Sequence, residues 1–343
     1  MPRAATVPMN FFDLPIDQQI ALAEQVARAA IGHWDFPTTA ELSLLKHREN
    51  SVFRVTHPDT GTRAVLRVHR TGYQTARSVR SELRWMEALN AFGVRTPAAW
   101  RSRAGAFVHE VAVPALPEPR LCDMLEWIDG QPLAEDDLVA AFRILGELHA
   151  RCHAHVRQWT LPADFERQAW DEAALLDGHH PIIAPAWENW ALSDDQRAVV
   201  LACRAALRAR LQQWGKGPDR YGLIHADLMP ENLIAAPDGL RLIDFDDCGF
   251  GWYLYDPASA LLFYYGQDFY PDLVRSWTAG YRSVRALSDE EVEELPTFLM
   301  LRCFYGLGWL HERRNSEAAQ MFNEPLVALT AAVGEEFLRR HGE

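Results

Sequence analysis

Read for hydrophobic and polar positions, the chain begins helical, turns to strands and ends mainly helical. Ile16, Ile20, Leu22, Ala23, Val26, Ala27 and Ala30 recur at helical spacing and predict a helix over 14–34. β-rich runs follow at 42–45, 52–56 and 64–69. The turn His57-Pro58-Asp59-Thr60-Gly61 separates the last two, which read as a hairpin. Val79, Leu83, Met86 and Leu89 restore the helical period over 75–91, and 107–113 and 121–128 read as two further strands. Beyond Asp129-Gly130 helices are predicted at 135–157, from Ser193 to about Trp214, and at 272–284, 289–313 and 325–340. Ser193 with Gln196, and Ser288 with Glu291, have capping-box spacing.

One stretch of the helical half, 223–257, has another character. Leu223 and Ile224 are apolar, 225–232 is polar, Leu233 and Ile234 are apolar again, and Pro237-Asp238-Gly239 precedes the run from Leu240 to Ile243. Pro-Asp-Gly between two β-rich runs signals a hairpin, because glycine tolerates positive φ. A hairpin here draws Asp227 and Asn232, which precede it, toward Asp244, which follows it. A carboxylate to accept a hydroxyl proton, with an amide oxygen and a second carboxylate for a hard cation, is the set that phosphoryl transfer requires. Asp227 and Asn232 have the D-x-x-x-x-N spacing of a kinase catalytic loop, and Asp244 opens Asp-Phe-Asp where protein kinases carry Asp-Phe-Gly. Taken alone, the same residues also suit an Asx-rich loop that caps turns beside a hairpin.

The run H-A-D-L-M-P-E-N followed by I-D-F-D-D closely resembles the H-G-D-x-x-x-x-N and I-D-F motif of the aminoglycoside phosphotransferase superfamily, which includes choline kinases, homoserine kinase type II and bacterial stress response kinases. The resemblance covers about residues 40–310 and is most specific at 223–257. It implies an α+β, protein-kinase-like fold of two lobes with Mg-ATP in the cleft. A β-rich N-lobe over 1–128 carries the N-terminal helix and a five-stranded nucleotide-binding sheet. A mostly helical C-lobe over 129–343 carries the catalytic loop and the acceptor site. The resemblance makes Asp227 the catalytic base, Asn232 and Asp244 the Mg²⁺ ligands, and His225 a brace for the loop. Ala226 stands where the family usually has glycine. Asp256 matches an acid that hydrogen-bonds the catalytic loop, though helix capping describes it equally well.

In the N-lobe the resemblance places Arg67, in A-V-L-R-V-H, where kinases carry a lysine for the phosphates, with Glu82 as its helix partner. An arginine differs from lysine in reach and in its forked donors. Asn50 and Ser51 belong to E-N-S-V-F-R-V, starting at Glu49, which resembles the family's loop over the phosphates. Backbone groups at Glu126 and Ile128 form the expected adenine hinge.

Composition narrows the class. The 343 residues carry a formal charge of −13, which argues against nucleic acid or an anionic membrane as the main partner. Five widely spaced cysteines without C-x-x-C suit buried thiols in a reduced compartment, and no apolar run suits a signal peptide or membrane span; a cytoplasmic protein is expected. His149 and His153, four apart on one predicted helix, lack the acid of H-E-x-x-H and are read as structural. The aromatics Trp187, Trp190, Phe250, Trp252, Tyr253 and Tyr255 form either a cage for a cation or core. Asp246 and Asp247 follow Asp244 closely, on the side where the acceptor is expected; two acids there suit a second Mg²⁺ or an amine of the acceptor, and equally a solvated surface. Arg302, Trp309, His311 and Arg313 fall on a segment that lines the acceptor pocket in this fold, where an arginine suits a carboxylate or phosphate. The expected reaction is ATP- and Mg²⁺-dependent phosphorylation of a small-molecule hydroxyl, such as an amino alcohol, homoserine or a sugar. The alternatives are a protein Ser/Thr kinase of the stress-response type, and a catalytically weak nucleotide-binding pseudo-kinase. The eleven residues between Asp244 and Asp256 leave no room for an activation loop, which favours a small acceptor.

Overall fold

A computed structural model describes Phe11 and residues 14–48, 50–133 and 137–341; Glu49, the start of the helix expected from 135, and most of the N-terminus lie outside the described residues. The chain divides into two units, Met1–Ala88 with Thr96–Asp129, and Leu89–Arg95 with Gly130–Glu343.

In the first unit, α1 (Ile16–Ile31) precedes three strands, β1 (Glu41–His47), β2 (Ser51–Thr56) and β3 (Arg63–Val68). Helix α2 (Ala76–Phe92) follows, its last turn counted with the second unit, and then β4 (Val108–Val111) and β5 (Arg120–Glu126). The five strands form one antiparallel sheet in the order β1-β2-β3-β5-β4. Period-two alternation sorts its side chains onto two faces. Phe53, Val55, Ala64, Leu66, Val68, Cys122 and Met124 share one core with Ala23, Val26, Ala27, Ala30 and Ile31 of α1. That stripe of α1 has the i, i+3, i+4, i+7 spacing of a helix with one buried face. Arg67 and Asp123, paired across β3 and β5, belong to the alternate positions.

The second unit holds β6 (Gln131–Pro132), α3 (Leu138–Val156), β7 (Ala169–Trp170), α4 (Asp194–Trp214), β8 (Tyr221–Ile224), β9 (Leu233–Ala236), β10 (Gly239–Leu242) and β11 (Gly249–Trp252). Helices α5 (Tyr255–Leu261), α6 (Tyr270–Arg282), α7 (Asp289–Glu293), α8 (Leu295–Glu312) and α9 (Glu317–His341) complete it. Two small sheets, β10-β9-β6 and β7-β11-β8, frame the 223–257 stretch. The strands β6, β7, β8 and β11 are two to four residues long, too short for alternation to reveal them. Both expected capping boxes are formed, opening α4 and α7. The helix expected over 289–313 is two helices, with Pro296 in the first turn of α8, the helical position a proline favours. In contrast, Pro325 does not start the last helix. The Ser316 hydroxyl accepts from Ala319 N–H and opens α9 eight residues earlier, and burial of Ala319, Val327, Val333 and Phe337 outweighs the hydrogen bond the proline removes.

Helices α3 and α6 meet at glycines. A Cβ on Gly146 would run into the backbone of Trp277, and one on Gly280 into the carbonyl of Arg143. This approach fixes the height of α3, whose His149 and His153 support the loop described next. All five cysteines are free and buried, and no described helix is long and apolar enough to cross a membrane.

Candidate active site

The polar loop 225–232 leaves β8 and is held from below by one carboxylate. Asp256, fully buried in the first turn of α5, accepts from the backbone N–H of Ala226 at 2.6 Å and of His225 at 3.4 Å. Its Oδ2 also lies 2.9 Å from His153 Nε2. Burial pushes the Asp256 carboxyl up, but the His153 hydrogen bond and the neighbouring imidazoles outweigh it, and the group is held low, at about 2. An ionised acceptor requires His153 to donate through Nε2, so Nδ1 accepts from the Tyr281 hydroxyl at 2.9 Å. Trp277 Nε1 donates to His149 Nδ1 at 3.0 Å. The two histidines of α3 are thus parts of a buried hydrogen-bond network.

His225 is also fully buried. Its Nε2 lies 3.1 Å from the Ile243 carbonyl and must donate there, which leaves Nδ1 to accept from Asp227 N–H at 3.4 Å. One imidazole therefore ties the loop to the end of the hairpin. Ala226, between His225 and Asp227, has φ 68, a left-handed conformation that favours glycine. Its carbonyl accepts from Ser259 Oγ at 2.7 Å and from Arg302 Nη1 at 3.2 Å, so both its backbone polar groups are engaged.

The hairpin places the three expected chemical groups. Strands β9 and β10 pair from Leu233 with Leu242 to Ala236 with Gly239, and Ile243 N–H extends the ladder to the Asn232 carbonyl at 3.0 Å. Asp244 follows immediately, in the left-handed conformation at φ 64 and ψ 59. Asn232 Nδ2 donates to the Asp227 carbonyl at 2.8 Å, which turns its amide oxygen to the other side. That oxygen and the Asp244 carboxylate are hard donors, the kind a Mg²⁺ ion already bound to phosphates takes from a protein. Among the described residues no group of three or more His, Cys, Asp or Glu could hold a metal ion.

Asp227 has a partner that the motif does not reveal. Arg302 on α8 donates to Asp227 Oδ1 at 2.9 Å, and its guanidinium lies 4.2 Å from the centre of the Tyr305 ring. Burial pushes the Asp227 carboxyl above the usual range; Arg302 opposes this, and Asp247 and Asp244 add to it. The Asp227 side chain retains 24% exposure, so the group is reachable. On the segment expected to line the acceptor pocket, the Arg302 guanidinium is buried against Asp227 and the loop. Downstream, Trp170 Nε1 donates to the Asp247 carbonyl at 2.7 Å and Arg167 Nε to the Cys248 carbonyl at 2.7 Å. Tyr305 donates to Asp247 Oδ2 at 3.4 Å. Trp252, Tyr253 and Tyr255 are buried core residues.

In the first unit, Arg67 Nη1 donates to Glu82 Oε1 at 2.7 Å. Asn50 Oδ1 accepts from Arg70 N–H at 3.1 Å, tying the β1–β2 turn to the chain just past β3, and Ser51 Oγ lies 2.8 Å from His47 Nδ1 across that turn. Glu126 ends β5; its N–H donates to the Ala98 carbonyl at 2.8 Å and its Oε2 accepts from Ala98 N–H at 3.0 Å. Ile128 lies just beyond that strand. Two contributors escape the sequence reading, Asp123, which grips Arg67, and Tyr305 beside Asp247, while Arg302 is legible as a cation of this segment but not as the partner of Asp227. Each is distant in sequence from the group it serves, and only the acid of Asp123 within an otherwise apolar stretch of its strand offers a signal.

The profile of the phosphotransferase enzyme family matches residues 41–287. The chain belongs to this family. The solved structure of a microcompartment-associated aminopropanol kinase is 33% identical, covers 92% of this chain and 98% of its own, and superposes with a TM-score of 0.83. Amicoumacin kinase of Bacillus subtilis (strain 168) is 25% identical over 308 residues, 84% of this chain and 85% of that protein. Homoserine kinase of Pseudomonas aeruginosa (strain LESB58) is 29% identical over 227 residues, 64% of this chain and 65% of its own length. The chain is therefore a kinase-like α+β phosphotransferase with an alcohol group as acceptor.

Proposed function

We propose that the protein transfers the γ-phosphoryl group of ATP to the hydroxyl of a small amino alcohol, with Mg²⁺ as cofactor, and that the first unit carries the nucleotide. The carrying observation is the state of the Asp227 neighbourhood. A reachable carboxylate sits on a loop held from several sides: Asp256 accepts from the His225 and Ala226 N–H groups, His225 Nε2 donates to the Ile243 carbonyl, and the Ala226 carbonyl accepts from Ser259 and Arg302. Its neighbouring cation, Arg302, is committed to Asp227 itself. An acceptor approaching Asp227 thus meets the carboxylates of Asp227 and Asp247 with no uncommitted cation from Arg302, which suits an ammonium better than a carboxylate. The 33% identity to an aminopropanol kinase supports the same class.

In the proposed reaction Asp227 accepts the hydroxyl proton as the acceptor oxygen forms its bond to the γ-phosphorus. The bond from that phosphorus to the bridging oxygen breaks, and ADP leaves with its electron pair. Asn232 Oδ1 and the Asp244 carboxylate would hold Mg²⁺, which when bound neutralises charge on the phosphate oxygens. Arg302 holds Asp227 in place by its Oδ1.

The test is ADP release with a panel of aminopropanol, ethanolamine, homoserine and an uncharged sugar, run on the wild type and on Asp227→Ala. The expected order of kcat/KM puts the amino alcohols first, with a loss in the variant of about 10³-fold in kcat. A preference for homoserine or the sugar would overturn the amine reading, and an active Asp227→Ala would overturn the role of the base. ATP binding without turnover of any hydroxyl would favour the pseudo-kinase.

A further inference from the structure

The cation on β3 is an arginine, and it is not held as a lysine would be. A lysine ammonium is a compact point charge, and one carboxylate with a phosphate can satisfy it. A guanidinium is a planar fork of five N–H groups, and burying it demands acceptors along its edges. Arg67 is 6% exposed, and two fully buried acids meet it. Its Nε and Nη2 donate side by side to the two oxygens of Asp123, at 3.0 and 2.9 Å, while Nη1 donates to Glu82 at 2.7 Å. Asp123 stands opposite Arg67 in the β3–β5 register, so the two side chains leave adjacent strands on one face. His69, just past the end of β3 and two residues from Arg67, places Nε2 2.5 Å from Asp123 Oδ2. Burial pushes the Asp123 carboxyl up, but Arg67 and His69 outweigh it and hold the group at about 2.

We propose that Asp123 is a positioning residue for the phosphate-binding cation: its side-on grip sets the plane and reach of Arg67, and an acid at this strand position is what lets arginine serve in place of lysine. The proposal rests on the reading of Arg67 as the nucleotide's cation. Its consequence is that positions 67 and 123 are coupled. With Asp123 present, a lysine at 67 is drawn between two buried carboxylates and away from the nucleotide. With Asp123 neutralised, a lysine keeps Glu82 as a buried acidic partner and keeps its reach.

The experiment measures the KM for ATP, kcat at saturating ATP and the thermal midpoint for Arg67→Lys, Asp123→Asn, the double variant and Arg67→Met. R67K and D123N are each expected to raise the KM for ATP about tenfold with kcat changed less than about threefold, and the double variant to return the KM to within about threefold of wild type. An Asp123 that serves only as a core counter-ion lowers the midpoint without moving the KM. R67K and the double variant then share one KM, which overturns the proposal while R67M still raises it. The comparison of R67K with the double variant decides this even where D123N alone does not fold. An unchanged KM in R67M overturns the reading of Arg67 itself, and the proposal with it.

Discussion

The loop that carries Asp227 and the strand that carries Arg67 are secured by different parts of the chain. Asp227 sits on backbone whose N–H groups and carbonyl are bound by Asp256, Ser259 and Arg302, with His225 tying the loop to the hairpin. Arg67 is secured by side chains, from Glu82 fifteen residues away and Asp123 fifty-six residues away. A backbone-held loop keeps its shape while its anchor stays, whatever side chains it displays. A cation held by buried carboxylates depends on the charge and length of each partner, because an unmatched buried charge is costly. The first arrangement is legible as a motif and the second is not.

That contrast can be broken most forcefully at Asp256. Asp256→Ala removes the acceptor shared by two backbone N–H groups and His153, and should lower stability by about 3 kcal/mol. Activity should fall further than unfolding explains, because the loop beneath Asp227 loses its hold. A folded variant with wild-type kcat at low temperature would show that the loop holds without its anchor.

The next test is pH. Burial lowers the pKa of His149 to about 3 and also lowers those of His153 and His225. A folded-state pKa below the unfolded value near 6.5 means that the unfolded chain binds the proton first. Stability is therefore fully present above pH 6.5 and is lost as pH falls toward 3, by about 1.4 kcal/mol per pH unit for His149. Asp123 and Asp256, held near 2, add a loss that begins only below the ordinary carboxylate range, near pH 4. Chemical denaturation of the wild type from pH 7.5 to 5 should show the first loss, and His149→Gln, whose amide can still accept from Trp277, should flatten it. An equal slope in the variant would remove His149 from the account.

The smallest effect is expected at Ala226. Glycine pays no penalty at φ 68, so Ala226→Gly should stabilise by at most about 1 kcal/mol, offset in part by the freer unfolded chain. A clear loss on calorimetric unfolding would mean that the methyl group contributes packing that outweighs the strain.

Local signals in the sequence and long-range packing divide the molecule in the same way. The hairpin at 233–242 was visible because its turn residues and apolar runs are adjacent in sequence, and Asn232 and Asp244 flank it. The helix boundaries around Pro296 and Pro325 were read less well, since proline only biases a local choice and buried packing decides it. Ala226 was recognised as an exception to the usual glycine, but the cost of that exception appears only in its dihedral angle. Arg302 was noted as a cation near the acceptor side; that it faces Asp227 depends on how α8 packs beneath the loop.

By itself the sequence determined the family, the kinase-like order of a strand-rich part before a helical part, and the chemical groups of the 223–257 stretch. All of these rest on short-range patterns: apolar periods, turn residues and a fixed spacing of acid and amide. The tertiary structure alone decided the partners: Asp123 for Arg67, Arg302 for Asp227, and Asp256 with His153 beneath the loop. Those pairings are set by strand register and helix packing, and a buried charge takes whichever partner the fold brings within hydrogen-bond distance.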